Sequence, residues 1–194
     1  MREAAISRKT HETDIVLKLN LDGTGRCDAA SGIGFFDHML NSFARHGLFD
    51  LELRCKGDLH VDTHHTVEDI GIVLGKAISE AVGDKKGIRR YGSSMLPMDE
   101  SLVMTVLDLS GRPCFVWDAE LKAERVGTLE TETVKEFFAA VSYSAAMNLH
   151  IKEFYGENTH HVIEAMFKSF ARALSEAVSF DPRITDVLST KGSL

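Results

Sequence analysis

The pattern His-His-x-x-Glu occurs twice, as His64-His65-Thr-Val-Glu68 and as His160-His161-Val-Ile-Glu164. In a helix, the first histidine and the glutamate are i and i+4, the second histidine and the glutamate are i and i+3, and the two imidazoles diverge by about 100°. One helix start then offers ligands to two different metal ions, and two such starts supply four imidazoles and two carboxylates. Mixed imidazole and carboxylate donors suit Mn²⁺, Fe²⁺ or Zn²⁺ and lack the thiolates of a structural zinc site. His38, in an apolar stretch where a histidine needs a partner, is a further candidate. Simpler duties exist: Thr63 and Thr159 read as helix N-caps, and Glu68 and Glu164 as acids favourable near a helix dipole. Both sets nevertheless recur in a repeat that has drifted elsewhere, for example Asp69 against Ala165, and this favours metal binding.

The elements that must carry these residues follow from an internal duplication. Thr63 to Glu68 aligns with Thr159 to Glu164 at an offset of 96, and in the same register Ala77 to Val82 aligns with Ala173 to Val178. Each copy has a helical stripe: Val67, Ile70, Leu74, Ala77, Ile78 and Ala81 in one, Ile163, Met166, Phe167, Phe170, Leu174 and Ala177 in the other. Phe35-Phe36 opens one earlier helix, to about His46, and Phe137-Phe138 another, to about Met147; strand-like runs Leu48 to Cys55 and Leu149 to Tyr155 follow them. Asp14 to Leu21 alternates and meets Asp22-Gly23, a hairpin signal. Leu102 to Leu109 and Cys114 to Leu121 flank a turn at Ser110 to Pro113. The expected class is therefore α+β, with two duplicated β-β-α-β-α halves, sheets packed against helices. The first half with its polar connector occupies 1–92, the second 93–181, and a loose tail 182–194.

Composition limits the alternatives. The 194 residues carry 22 Lys plus Arg against 29 Asp plus Glu, a net charge of −7, which argues against a general nucleic-acid binder. No apolar run approaches a membrane span, and the polar N-terminal stretch lacks a signal-peptide core, so a cytoplasmic location is expected. Cys27, Cys55 and Cys114 are widely spaced and odd in number, and read as reduced, buried thiols.

Six strings then converge on one family: Gly34-Phe-Phe-Asp-His-Met-Leu40, Gly57-Asp-Leu-His-Val-Asp-Thr-His-His-Thr-Val-Glu-Asp69, Pro97-Met-Asp-Glu100, Asp108-Leu-Ser-Gly-Arg-Pro113, Gly156-Glu-Asn-Thr-His-His161 and Ser189-Thr-Lys-Gly192. In this order, over nearly the whole chain, they resemble the imidazoleglycerol-phosphate dehydratase family. The resemblance implies a ribosomal protein S5 domain 2-like fold and two Mn²⁺ ions per active site. It implies that one ion takes His64, Glu68 and His160, and the other His38, His65, His161 and Glu164. Many members complete the first ion with a histidine before the Phe pair, where this chain has Glu136. The resemblance also implies a homo-oligomer, a 24-mer built from trimers, with active sites between subunits.

The implied reaction dehydrates D-erythro-imidazoleglycerol phosphate to imidazole acetol phosphate in histidine biosynthesis. The carbon that loses its proton is not beside a carbonyl, and the resemblance implies that the substrate's own metal-bound imidazole replaces the missing electron sink. By the family match, Glu12, Asp99 and Glu164 are candidates for proton transfer, and His46 for contact with the phosphate or glycerol chain. Arg90, Arg112, Lys168, Ser189, Thr190 and Lys191 match phosphate-binding positions, where Arg supplies a planar fork and Lys a point charge. The tail is expected to order over bound substrate. The competing readings are a metallohydrolase, whose His-x-x-Glu-His order is absent here, and a non-catalytic metal-stapled oligomer or metal store.

Overall fold

The computed structural model describes residues 2–194. The strand β2 (Thr13–Asn20) shows why the sheets form: Ile15, Leu17 and Leu19 are fully buried and alternate with outward-facing residues. Three further strands join it, β1 (Glu3–Lys9), β3 (Cys27–Ala30) and β4 (Asp50–Gly57), in the spatial order β1-β2-β4-β3. The second sheet repeats this topology as β5-β6-β10-β7, from β5 (Tyr91–Met98), β6 (Ser101–Asp108), β7 (Cys114–Asp118) and β10 (Asn148–Tyr155). In each sheet the first two strands form an antiparallel hairpin, and the third runs parallel to the last through a helical crossover. Pro97 falls on β5, an edge strand, where a missing N–H is tolerated.

Four helices lie between the two sheets: α1 (Gly34–Gly47) and α2 (His64–Val82) against the first, α3 (Glu132–Ser144) and α4 (Thr159–Val178) against the second. The helices therefore form the inner layers, which explains why α2 and α4 are apolar around most of their circumference. α1 packs on α4 through Phe43 stacked on Phe170 and Phe36 edge-on to Phe167. α2 packs on α3 so closely that a Cβ on Gly71 would lie 2.7 Å from the Phe137 carbonyl oxygen, and one on Gly75 2.6 Å from that of Val141. Both pairs run parallel across the halves, so all four helices begin at the same end of the sandwich. The β1–β2 and β5–β6 turns lie at that end too.

The duplication and the α+β class are as expected, with differences of detail. Each half has one more strand than β-β-α-β-α; β1 and β3 in the first half and β5 in the second add to the strands read from the sequence, β6 and β7 flank their turn without pairing, and a small hairpin of β8 (Arg125–Val126) and β9 (Leu129–Glu130) precedes α3. Asp22-Gly23 closes no hairpin: β2 pairs with β1 and β4, and Asp50 holds the loop by accepting the backbone N–H groups of Thr24 and Arg26. α3 begins at Glu132, before Phe137, because Thr133 and Val134 also face the core. Thr63 does not act as a side-chain cap; its hydroxyl donates to Glu130, while Asn158, not Thr159, caps α4 by accepting from the His160 N–H. The segment read as a loose tail runs back along the connector, with a bridge from Lys86 to Val187 that continues one from Ile88 to Phe180 just before the tail. The three cysteines are less buried than expected, Cys27 and Cys55 half-buried and Cys114 exposed, and no disulfide links them. Among the described residues, no helix is long and apolar enough to cross a membrane.

Two measurements test this packing. Gly75→Ala should destabilise the chain by about 1–3 kcal/mol through overpacking against α3, whereas Gly34→Ala, with nothing within 4 Å of the new Cβ, should be neutral or slightly stabilising; equal melting temperatures for the two variants would refute the close approach. Burial and neighbouring acids push the Cys27 thiol up to about 11 and that of Cys55 up to about 12. At pH 8 both half-buried thiols are almost wholly protonated, so iodoacetamide should label them much more slowly in the native protein than after unfolding; native labelling as fast as in the unfolded chain would contradict the raised pKa values.

Candidate metal centre and anion cleft

His38 on α1 and His160 and Glu164 on α4 form a group whose potential ligand atoms all lie within 4.8 Å of one another, the only such group of three among the described residues. Parallel packing of α1 on α4 brings them together, and Phe35 packs against the His160 ring at 4.8 Å between centroids. His160 Nε2 is 3.2 Å and His38 Nε2 3.6 Å from Glu164 Oε2. Glu164 is buried, and burial alone would raise its pKa; the hydrogen bond and charge of Lys168, with His38 and His160, outweigh that and hold it lowered. Lys168 Nζ lies 2.6 Å from Glu164 Oε1. These are imidazole and carboxylate donors with no thiolate, a set that fits a divalent ion of the Mn²⁺, Fe²⁺ or Zn²⁺ kind.

Within one chain this grouping differs from the ligand sets that the resemblance implies. His160 sits with His38 and Glu164, not with His64 and Glu68. The latter two form a separate i,i+4 pair on α2, His64 Nε2 to Glu68 Oε2 3.5 Å, with side chains 42% and 43% exposed. Glu136 lies on α3, half-buried and one residue before Phe137, near the second turn of α2 by the register of the α2–α3 contact; its carboxylate makes no hydrogen bond or ion pair among the described residues.

The second histidine of each motif is held alike in both halves. His65 Nδ1 is 3.0 Å from Asp58 Oδ2, and its Nε2 is 3.7 Å from Glu12 on the β1–β2 turn. His161 Nδ1 is 2.7 Å from Glu100 Oε2, and its Nε2 is 3.7 Å from Asp99 on the β5–β6 turn. The hydrogen bond to Asp58 is the main cause of a raised His65 pKa, and that to Glu100 of a raised His161 pKa. Glu100 is held far below the usual carboxylate range, first by His161 and then by the Asn158 N–H, with Ser101 also donating. The turn carrying Glu12 is braced by buried Asp69, which accepts from Thr13 and Arg8. Asp58, Glu100 and Asp69 all lie inside or beside the quoted strings, but as acids in turn-rich segments they carry no spacing signal that would mark their partners.

The cationic candidates fall in two places. Lys168 lies along the α1–α4 groove near His46, whose pKa is lowered by burial and by the charges of Lys168 and Arg172. Arg90, Arg112, Ser189, Thr190 and Lys191 line a cleft of about 870 Å³ between the tail and the starts of β5 and β7. Arg90 is buried there in a left-handed conformation (φ 70°). Its guanidinium is committed to Asp108, at 2.7 and 3.0 Å, and to the Leu188 carbonyl at 2.7 Å, so Arg90 anchors the tail. Arg112 and Lys191 are exposed at the same cleft. This cleft is at the Tyr91–Asp108 end of the β5–β6 hairpin, and Asp99 is at the other; the eight residues of β5 separate them by roughly 23 Å.

Comparison with known proteins identifies the family. The family model described as imidazoleglycerol-phosphate dehydratase matches residues 31–174. The enzyme of that name from Acetivibrio thermocellus is 62% identical over 193 residues, covering 100% of this chain and 99% of the relative. That from Lachnoclostridium phytofermentans is 63% identical, covering 100% and 98%. The crystal structure of the Staphylococcus aureus enzyme superposes with a TM-score of 0.84 at 40% identity, over 92% of this chain and 99% of that one. The chain belongs to the imidazoleglycerol-phosphate dehydratase family, a family of hydro-lyases.

Proposed function

We propose that the protein removes water from D-erythro-imidazoleglycerol phosphate to give imidazole acetol phosphate in histidine biosynthesis, with two Mn²⁺ ions at each active site. The observation that carries the metal part is the meeting of His38 with His160 and Glu164 across the two halves. His38, His65, His160, His161 and Glu164 would hold one or other ion, with His64, Glu68 and Glu136 completing the set. When bound, the ions supply Lewis acidity and a template for the substrate's imidazole. The chain's own groups supply the rest. Glu12 and Asp99 stand on the β1–β2 and β5–β6 turns, each 3.7 Å from Nε2 of a ligand histidine, where they would take or return a proton at the substrate carbons. Glu164, ionised beside Lys168, is a third acceptor. His46 and Lys168 flank the path of the glycerol chain.

The phosphate would take Arg112, Lys191, Ser189 and Thr190, with Arg90 fixing the tail behind them. Ser189 to Gly192 would close over the bound phosphate. The roughly 23 Å between this cleft and the ligand end supports a site assembled from more than one chain, because a small substrate held at the ligand end of one subunit would not reach this cleft of the same subunit. The exposed, two-residue His64–Glu68 pair supports the same conclusion. Trimers with active sites between subunits, assembled eightfold into a 24-mer, meet that requirement.

Removing metal with a chelator should abolish turnover of imidazoleglycerol phosphate, and Mn²⁺ added back should restore formation of imidazole acetol phosphate; failure of Mn²⁺ to restore product would overturn the proposal. For Glu136, the His variant should keep the metal content and activity of the parent and the Ala variant should lose both. Equal values in the Ala variant would remove Glu136 from the ligand set.

A further inference from the structure

We propose that Asp58 and Glu100 are positioning residues that fix the ring orientation and tautomer of His65 and His161, an inference that rests on the reading of those two histidines as metal ligands. A neutral imidazole has one N–H donor and one lone-pair nitrogen. A carboxylate at Nδ1 selects the tautomer with hydrogen there, and leaves Nε2 as the nitrogen with a free lone pair. Such a partner also raises the basicity of the ring and stops it from flipping. The geometry matches at both sites, with 3.0 Å from His65 Nδ1 to Asp58 and 2.7 Å from His161 Nδ1 to Glu100. In each case Nε2 points to the end of the sandwich where Glu12 and Asp99 lie.

The two carboxylates do not occupy equivalent places in the repeat, and this argues for a functional demand. Asp58 stands six residues before His64, in the β4–α2 loop; six residues before His160 stands Phe154, on β10. Glu100 directly precedes β6; the residue that directly precedes β2 is Glu12, which faces Nε2 of His65, not Nδ1. A contact kept only as a relic of duplication would recur at matching positions. Here the same imidazole–carboxylate bond is made from two unrelated positions. Each carboxylate is also committed. Asp58 Oδ1 is buried with no hydrogen-bond partner among the described residues, so its bond to His65 through Oδ2 is not a by-product of other bonding. Glu100 is aimed by three further donors, the N–H groups of Glu157 and Asn158 and the Ser101 hydroxyl.

The test is Mn²⁺ titration of metal-stripped protein by calorimetry, alongside the melting temperature of the same metal-free samples. Asp58→Asn and Glu100→Gln keep shape while removing charge; Asp58→Ala and Glu100→Ala remove the acceptor; Glu100→Asp and Asp58→Glu restore a carboxylate. The Ala variants should weaken Mn²⁺ binding about 10–100-fold with metal-free melting temperatures close to the parent, the amide variants should fall between, and the carboxylate-restoring variants should recover part of the loss. His65→Ala and His161→Ala set the scale. If these two lose Mn²⁺ binding while the Asp58 and Glu100 variants bind within twofold of the parent, the positioning role is wrong and the metal reading stands. If the histidine variants themselves bind Mn²⁺ normally, the metal reading fails first. Weakened binding that appears only in variants whose metal-free melting temperature also falls would assign both acids a purely structural role and overturn the inference.

Discussion

Parallel packing of helices from opposite halves is the constraint on which the site depends. α1 lies along α4 through stacked Phe43 and Phe170, and α2 along α3 through Gly71 and Gly75. Because each pair runs in the same direction, the helix starts coincide, and His38 reaches His160 and Glu164 although they are more than a hundred residues apart in sequence. An antiparallel pairing would bury the same apolar area and send His38 to the far end of the sandwich. The apolar stripes thus supply the stability, while the direction of packing supplies the chemistry.

That direction also concentrates four positive helix ends at one edge of the molecule, an environment unfavourable to bare cations. The acids gathered there offset it. Glu12, Asp58, Glu68, Asp99, Glu100 and Glu164 all stand on or beside the helix starts or the two adjoining turns. Lys168, one turn into α4 beyond Glu164, is the counterweight that keeps that buried carboxylate ionised.

Much of this was legible in the residues themselves. The duplicated His-His-x-x-Glu motifs, the helical stripes behind them and the alternation of β2 are local patterns, and local patterns follow from periodicity. What escaped were features decided by distant partners. Asp22-Gly23 has the chemistry of a hairpin turn, but Asp50, close in space and far in sequence, redirects that loop. Thr63 has the chemistry of a cap, yet Glu130 takes its hydroxyl. The four-residue strand β3 is too short to show a period, and β1 and β5 are edge strands whose alternation is diluted by exposed residues. Arg90, expected at an anion, also grips Asp108 and the Leu188 carbonyl, partners that its place in the sequence does not reveal. Asp58 and Glu100 belong to the same class, since a carboxylate's partner across a loop leaves no trace in spacing.

The seam between the halves carries a consequence of its own. Arg2 donates to the Val178 carbonyl and lies over the Phe180 ring, so the chain's beginning meets the end of α4. The connector into β5 arrives at the same place, with the Arg90 N–H on the Ala177 carbonyl. Both joins between repeats therefore sit side by side, away from the histidines. Head-to-tail fusion of a half-length ancestor would need only a short linker at that spot, because the end of α4 lies beside the segment that leads into β1.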